Sequence, residues 1–261
     1  MRKRLLATLL CLCMVVTLLP TVAFAAGERA AIQLGADGIE KGNTVYYGSY
    51  AQSDITGVTK DPIKWRVLST TPNGTTADGS AWRAGDGLLL LSDQNLDVQL
   101  YHADDESVTW GVSTMRSWLN GYAASANTGG ISGTDYSSNN FINTAFAESE
   151  RAKILQTKLE NANNPTNSTA GGNATTDKVF ALSIAEASST DYFADNNSRV
   201  GTNTAYVASK SNMNEVGTAD LWWLRSPGLI DITAAIVIYV GGIYDYGYIV
   251  SLSCCRCSAR F

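Results

Sequence analysis

The spacing of hydrophobic residues first predicts strands. Residues 44–50 (TVYYGSY) and 62–69 (PIKWRVLS) are rich in β-branched and aromatic side chains, as strands usually are. Residues 88–96 (LLLLSDQNL) open with a continuous apolar run, which is typical of a strand buried on both faces. Residues 221–228 (LWWLRSPG) end on a Pro-Gly turn signal, and the apolar pieces after them are interrupted by glycines. We therefore expect two or three further strands in a hairpin series after residue 228.

Two longer segments carry apolar residues at helical spacing. In residues 107–125, Trp110 and Trp118 fall on one helical face, and Ser113 is a candidate N-cap. Residues 139–159 predict a second helix. Residues 160–177 are polar and predict a long loop, and residues 177–187 predict a strand that turns into a short helix near Tyr192 and Phe193. Together the patterns predict a mixed α+β domain in which two main helices pack on short strands.

The N-terminus has the pattern of a secretory signal peptide. A basic start precedes the apolar run from Leu5 to Leu19, and Ala23-Phe24-Ala25 is a small-x-small cleavage site. The run is shorter than the ~20 residues that span a bilayer. We therefore expect a signal peptide over residues 1–25, a flexible leader over 26–41 and one domain over 42–261. The mature protein would be secreted or displayed at the cell surface, without membrane insertion.

Charge narrows the class of partner. The formal net charge of −5 becomes −8 once the three basic residues of the signal peptide are removed. An acidic chain without a basic cluster argues against nucleic acid and against anionic membranes as partners. We expect the partner to be a protein or another cell-surface ligand.

The sequence offers little catalytic or metal-binding chemistry. His102 is the single histidine, which leaves almost no room for His-dependent nucleophilic machinery, and its acidic surroundings suggest a solvated polar loop. A calcium site from Asp104 to Glu106 stays open. Cys254, Cys255 and Cys257 supply at most three of the four ligands that a structural zinc site needs, and no histidine lies near them in the sequence. We expect no cofactor, no resident metal and no enzyme activity.

The last 33 residues differ in composition from the rest. They contain no Lys, Glu, Gln, Met or Trp, although these five types supply 31 of the first 228 residues. At that frequency about four or five would be expected in the tail. A hydrophobic strand region disfavours Lys and Glu, but it does not explain the missing Trp, Met and Gln.

Several segments of the chain together resemble a known family: TVYYGSYAQ, IKWRVL, TMRSWLNGYA, NFINTAFAESE, DKVFALSIAEA and WWLRSPG. They resemble secreted bacterial variable proteins of diversity-generating retroelements, which have a C-type-lectin-like domain related to formylglycine-generating enzymes. The resemblance spans roughly residues 42–261, and WWLRSPG is its most specific part. It implies that a reverse transcriptase randomises adenines, chiefly in AAY asparagine codons, in a cassette at the 3′ end of the gene.

That mechanism accounts for the composition of the tail. Changing the adenines of AAY can produce fifteen residue types but never Lys, Glu, Gln, Met or Trp. The resemblance therefore implies a variable region over residues 229–261, in which Ala234, Ala235, Val237, Gly242, Gly247 and Val250 are scaffold. The ligand-binding face would comprise Leu229, Ile230, Asp231, Ile232, Thr233, Ile236, Ile238, Tyr239, Tyr244, Asp245, Tyr246, Tyr248, Ile249, Ser251 and Ser253.

Alternatives remain for the function and for the ending. The same resemblance allows a calcium-dependent, carbohydrate-binding lectin-like module, or an oxidase of the formylglycine-generating type. A structural surface-layer component is a further alternative. The family closes on a VRPA-like string where this chain has RCSARF. Suitable codons read one base later would give Ala-Val-Arg-Pro-Ala, so a frameshift near Cys254 is a further hypothesis.

Overall fold

A computed structural model describes residues 38–122, 135–210, 215–251 and 258–259. The expected signal peptide and most of the expected leader lie outside these ranges. Within them, no helix is long and apolar enough to cross a bilayer.

The described residues form fourteen strands and five α-helices, with short 3-10 turns between them. The strands are β1 (Thr44–Tyr50), β2 (Asp61–Ser69), β3 (Thr75–Thr76), β4 (Leu89–Ser92), β5 (Gln94–Asn95), β6 (Asp97–Val98), β7 (Thr157–Leu159), β8 (Thr175–Asp177), β9 (Gly201–Asn203), β10 (Ala219–Asp220), β11 (Trp222–Pro227), β12 (Thr233–Val237), β13 (Ile243–Ile249) and β14 (Ser258–Ala259). The helices are α1 (Thr114–Asn120), α2 (Phe141–Ala145), α3 (Glu148–Arg151), α4 (Ile184–Ser188) and α5 (Ala205–Lys210).

The strands assemble into four small sheets. Three sheets have three strands each, in the orders β1-β2-β4, β10-β9-β5 and β3-β7-β8. The fourth has five strands in the order β13-β12-β11-β14-β6, so that β13 lies at one edge. The strands predicted at residues 44–50, 62–69 and 221–228, and the hairpin after them, are confirmed in position. The single strand predicted over residues 88–96 is wrong, because this stretch forms β4 and β5, which belong to different sheets.

The predicted fold class is wrong. We expected an α+β, C-type-lectin-like domain with two main helices packed on strands, but the described residues are mostly β. Their helices contain only four to seven residues each and do not form a layer. The strand expected over residues 177–187 is also wrong in extent, because β8 ends at Asp177 and α4 already begins at Ile184.

The two predicted helices are each shortened for a local reason. In the first, a 3-10 turn over Trp110–Val112 precedes α1, whose N-cap Ser113 is confirmed because its side chain accepts from Arg116 N. In the second, Phe146 is extended and ends α2. Its ring packs against those of Tyr47 and Trp65, with centroids 5.6 and 6.3 Å away. Burial of this ring outweighs the helical pattern, so residues 139–159 become α2, α3 and β7.

Two apolar clusters lie on opposite faces of the five-stranded sheet. On β12, Ala234 and Ile236 belong to the larger cluster, while Ala235 and Val237 belong to the smaller one. Successive side chains of a strand point to opposite faces, so β12 is buried on both. β11 is buried along its whole length. These two strands form the rigid support for β13.

Two arginines form ion pairs at this core. Arg225 is buried and forms an ion pair with Glu186 at the start of α4. Burial alone would raise the pKa of the Glu186 carboxyl, but the Arg225 guanidinium and further hydrogen bonds hold that pKa below its usual range. Arg116 donates from Nε to Asp177 Oδ1 at 2.8 Å. Arg116 and Arg225 therefore each link separate segments of the chain through an ion pair.

Candidate ligand-binding face

The edge strand β13 departs from regular pairing at its centre. Ala234 faces Tyr248 and Ile236 faces Tyr244, so that three residues of β13 stand opposite a single residue of β12. Gly247 lies in this bulge with φ +70°, and a Cβ there would approach Ala234 O to 2.2 Å. The bulge thus requires glycine. It moves the main chain of Asp245 and Tyr246 out of the ladder.

Tyrosine rings line the outward surface of this strand. The rings of Tyr244 and Tyr246 stack with centroids 5.8 Å apart, and the Tyr244 and Tyr248 rings lie 5.9 Å apart. Tyr244 and Tyr246 are exposed, whereas Tyr248 is half-buried against the larger apolar cluster. The result is an exposed aromatic surface supported from beneath.

Exposed apolar side chains are concentrated in this part of the chain. Eleven large hydrophobic residues are exposed among the described residues, and six of them fall between residues 229 and 246. With Asp231 they make up what we call the C-terminal face: Leu229, Ile230, Asp231, Tyr239, Val240, Tyr244 and Tyr246. From residue 229 to 251 the only charged side chains are those of Asp231 and Asp245. The face is therefore apolar, aromatic and weakly acidic.

A buried asparagine outside the tail holds the face by its main chain. Asn164 is 1% exposed, and its Nδ2 lies 3.0 Å from Pro227 O, 3.2 Å from Gly228 O and 2.8 Å from Asp245 O. Its Oδ1 accepts from Thr166 N and Asn167 N, which fixes the loop around it. One side chain thus joins the turn before β12 to the bulge of β13.

Other anchors also reach the main chain. Thr169 Oγ1 donates to Leu229 O at 2.7 Å, and Val108 N donates to Asp231 O at 2.9 Å. At the turn between β12 and β13, Arg199 Nε donates to Gly241 O at 2.7 Å. Because these donors contact carbonyl oxygens, the side chains of the face carry little of the support. Beside the face, the half-buried Asp245 adds a side-chain contact, because its carboxylate accepts from the Thr166 hydroxyl.

The predicted site residues divide by burial. Six are exposed: Leu229, Ile230, Asp231, Tyr239, Tyr244 and Tyr246. Six are half-buried: Ile232, Ile238, Asp245, Tyr248, Ile249 and Ser251. Thr233 and Ile236 are buried. Ile236 packs in the core, and the Thr233 hydroxyl bonds the main chain of Ile230, so neither can contact a ligand on this surface. Ser253 lies outside the described residues.

Two residues were missed in the sequence. Val240 is exposed in the β12–β13 turn and belongs to the face, which its place between strand pieces and a Gly-Gly pair could have indicated. Asn164 lies in a stretch that reads as an ordinary polar loop, and no local pattern marks it as an anchor. Of the six expected scaffold positions, Ala234, Ala235, Val237 and Val250 are buried, and the glycines at 242 and 247 are half-buried.

The described residues contain no arrangement that supports a metal site. His102 is buried, although the sequence had suggested that it would be solvated. Its Nδ1 accepts a hydrogen bond from Thr114 N at 3.2 Å. Asp104 and Asp105 are exposed beside it. No group of three or more His, Cys, Asp or Glu in the described ranges could hold a metal ion. Cys254, Cys255 and Cys257 lie outside those ranges.

One family model matches a large part of the chain. Residues 85–256 match the family described as Domain of unknown function (DUF6273), which is about two-thirds of the 261 residues. The chain belongs to the DUF6273 family. No curated protein and no solved structure is significantly similar to it. The DUF6273 match includes Asn164, the bulge and the whole C-terminal face.

Proposed function

We propose that this chain is a secreted or surface-displayed ligand-binding protein whose C-terminal face is diversified by a retroelement to recognise variable targets. The observation that carries the proposal is the concentration of exposed apolar and aromatic side chains on the tail. A patch of this kind marks an interaction site. Tyrosine gives rigid, amphipathic contact area at low entropic cost, as in antibody paratopes.

The way the face is supported favours diversification. Anchors outside the tail hold its carbonyl oxygens, and the core strands β11 and β12 lie beneath it. Side chains on such a surface can change while the main chain keeps its path. The tail also lacks the five residue types that randomised AAY codons cannot encode.

A display experiment tests whether the face can act as a paratope. The seven residues of the C-terminal face are randomised with codons that have any base at the first two positions and a pyrimidine at the third. The library is then selected for binding to immobilised lysozyme as a probe protein. A control library randomises Tyr46, Ile55, Val58 and Val216, which are exposed hydrophobic residues elsewhere.

We expect lysozyme binders from the face library and none from the control. Binders should use tyrosine at several face positions and remain folded. If both libraries give binders equally, or if folded members of the face library give none, the proposal that this surface is built for recognition is wrong.

A further inference from the structure

A cleft separate from the C-terminal face lies between the β1-β2-β4 sheet and the segment that follows α2. Its volume is about 360 Å³. Aromatic rings of Tyr47, Trp65 and Phe146 form one wall, and Leu90, Ile154 and Leu155 contribute aliphatic surface. Pockets of 300–1,000 Å³ with mostly apolar walls are the usual size of small-molecule sites.

The polar atoms of the aromatic wall are already used by the protein. Tyr47 donates from its hydroxyl to Glu150 O at 2.7 Å, and Trp65 donates from Nε1 to Tyr47 O at 2.8 Å. In the part of the chain that the structure describes, none of the buried polar atoms without a partner belongs to a residue that lines the cleft. The interior therefore offers carbon contacts, and apolar cavities of this kind take up apolar molecules.

Three charged residues line the cleft. Asp86 accepts from Arg83 N at 2.7 Å, so its carboxylate already has a partner. Lys178 donates one Nζ–H to Arg151 O at 2.8 Å, and an ammonium has three hydrogens to donate. Lys153 is exposed and also lines the cleft. Two lysines against one aspartate give the lining of the cleft a net positive charge, which favours an anionic head group on an apolar ligand.

We propose that this cleft binds a free amphipathic monoanion, namely a carboxylate with a single alkyl chain. The volume lies at the lower end of the range for small-molecule sites, which suits a single medium-length alkyl chain. Decanoate is a medium-chain carboxylate of this class. Its chain would lie against the aromatic wall, and its carboxylate would accept hydrogen bonds from Lys178 and Lys153.

Calorimetric titration of the purified full chain tests this site with three probes that share one alkyl chain. The probes are decanoate, decanol and decyltrimethylammonium. We expect one decanoate per chain, and binding about three- to tenfold weaker when Lys153 and Lys178 are both changed to Gln, as for solvent-accessible ion pairs. Decanol should bind the wild type and this double variant equally. Lys158→Gln is the matched control, because Lys158 lies nearby in β7 but does not line the cleft.

A second variant and a direct mapping locate the site. Leu90→Trp fills the cleft and should abolish binding of decanoate and decanol alike. If that variant does not fold, a diazirine-bearing decanoate on the wild type should label peptides within residues 146–157 or 86–90. The inference is overturned if decanoate does not bind, if the cationic probe binds as tightly as decanoate, or if labelling falls outside the residues that line the cleft.

Discussion

Replacement of Asn164 by aspartate probes the link between the anchoring loop and the C-terminal face. The two side chains have nearly the same shape, and the carboxylate keeps the oxygen that accepts from Thr166 N and Asn167 N. It loses both N–H donors and turns a second oxygen toward the carbonyls of Pro227, Gly228 and Asp245. The change therefore removes the anchor without removing the loop.

The magnitude follows from burial. Loss of the two N–H donors, which serve three carbonyls, removes about 1–3 kcal/mol, and the carbonyls left without donors bring the total to about 3–5 kcal/mol. The three carbonyl oxygens around the new carboxyl would raise its pKa above the unfolded value of about 3.9. A carboxyl whose pKa is raised in the folded state binds its proton more tightly there than in the unfolded chain. The loss of stability should therefore be smallest below the unfolded pKa and should grow as the pH rises through the folded pKa.

Urea unfolding followed by tryptophan fluorescence measures this loss, and hydrogen exchange locates it. Exchange should increase in residues 228–232 and 243–249 and remain unchanged in β1 and β2. Asn163→Asp is the matched control, because it adds the same charge one residue away at an exposed site and keeps the acceptor for Gly171 N. If the two variants differ by less than about 0.5 kcal/mol, Asn164 does not anchor the face.

Three further outcomes follow from named contacts. Glu186 has a lowered pKa beside Arg225, so its ionised carboxylate stabilises the fold. That contribution to the free energy of unfolding is complete above about pH 4.5 and is lost as the pH falls through the folded pKa. Glu186→Gln should flatten this acid-side fall in urea unfolding. Gly247→Ala should cost at least about 1–2 kcal/mol in the same assay, because its positive φ and close carbonyl contact exclude a Cβ. Tyr246→Ser should change stability by less than about 0.5 kcal/mol, whereas Ile236→Ala should cost about 2–5 kcal/mol by thermal unfolding; equal effects would contradict the division between face and core.

The strands were predictable because their signals are local. Residues 44–50 and 62–69 have alternating and β-branched patterns, and the structure places β1 and β2 there within one residue. The second helix was not predictable from its period alone. Its pattern continues through Phe146, but that ring is buried against Tyr47 and Trp65. Both of these partners lie in the first two strands, far outside the window in which a helical period is read.

The composition of the tail indicated a variable region but not which of its residues are buried. Randomised AAY codons can encode isoleucine at positions 230 and 236 alike, although Ile230 is exposed and Ile236 is in the core. That difference arises from pairing with β11 and from the bulge at Gly247. Asn164 could not be found locally either, since its partners lie 63 to 81 residues away in sequence.

The most direct test of a retroelement-diversified face is the sequence of the gene's own locus. We predict a reverse transcriptase gene nearby and a template repeat that matches the coding sequence of residues 229–261. The differences should occur only at template adenines, fall mainly on the codons of the C-terminal face, and spare Trp222 to Gly228. A locus without such a repeat, or with differences that favour the codons of buried residues such as Ala235 and Val237, would contradict the proposed function.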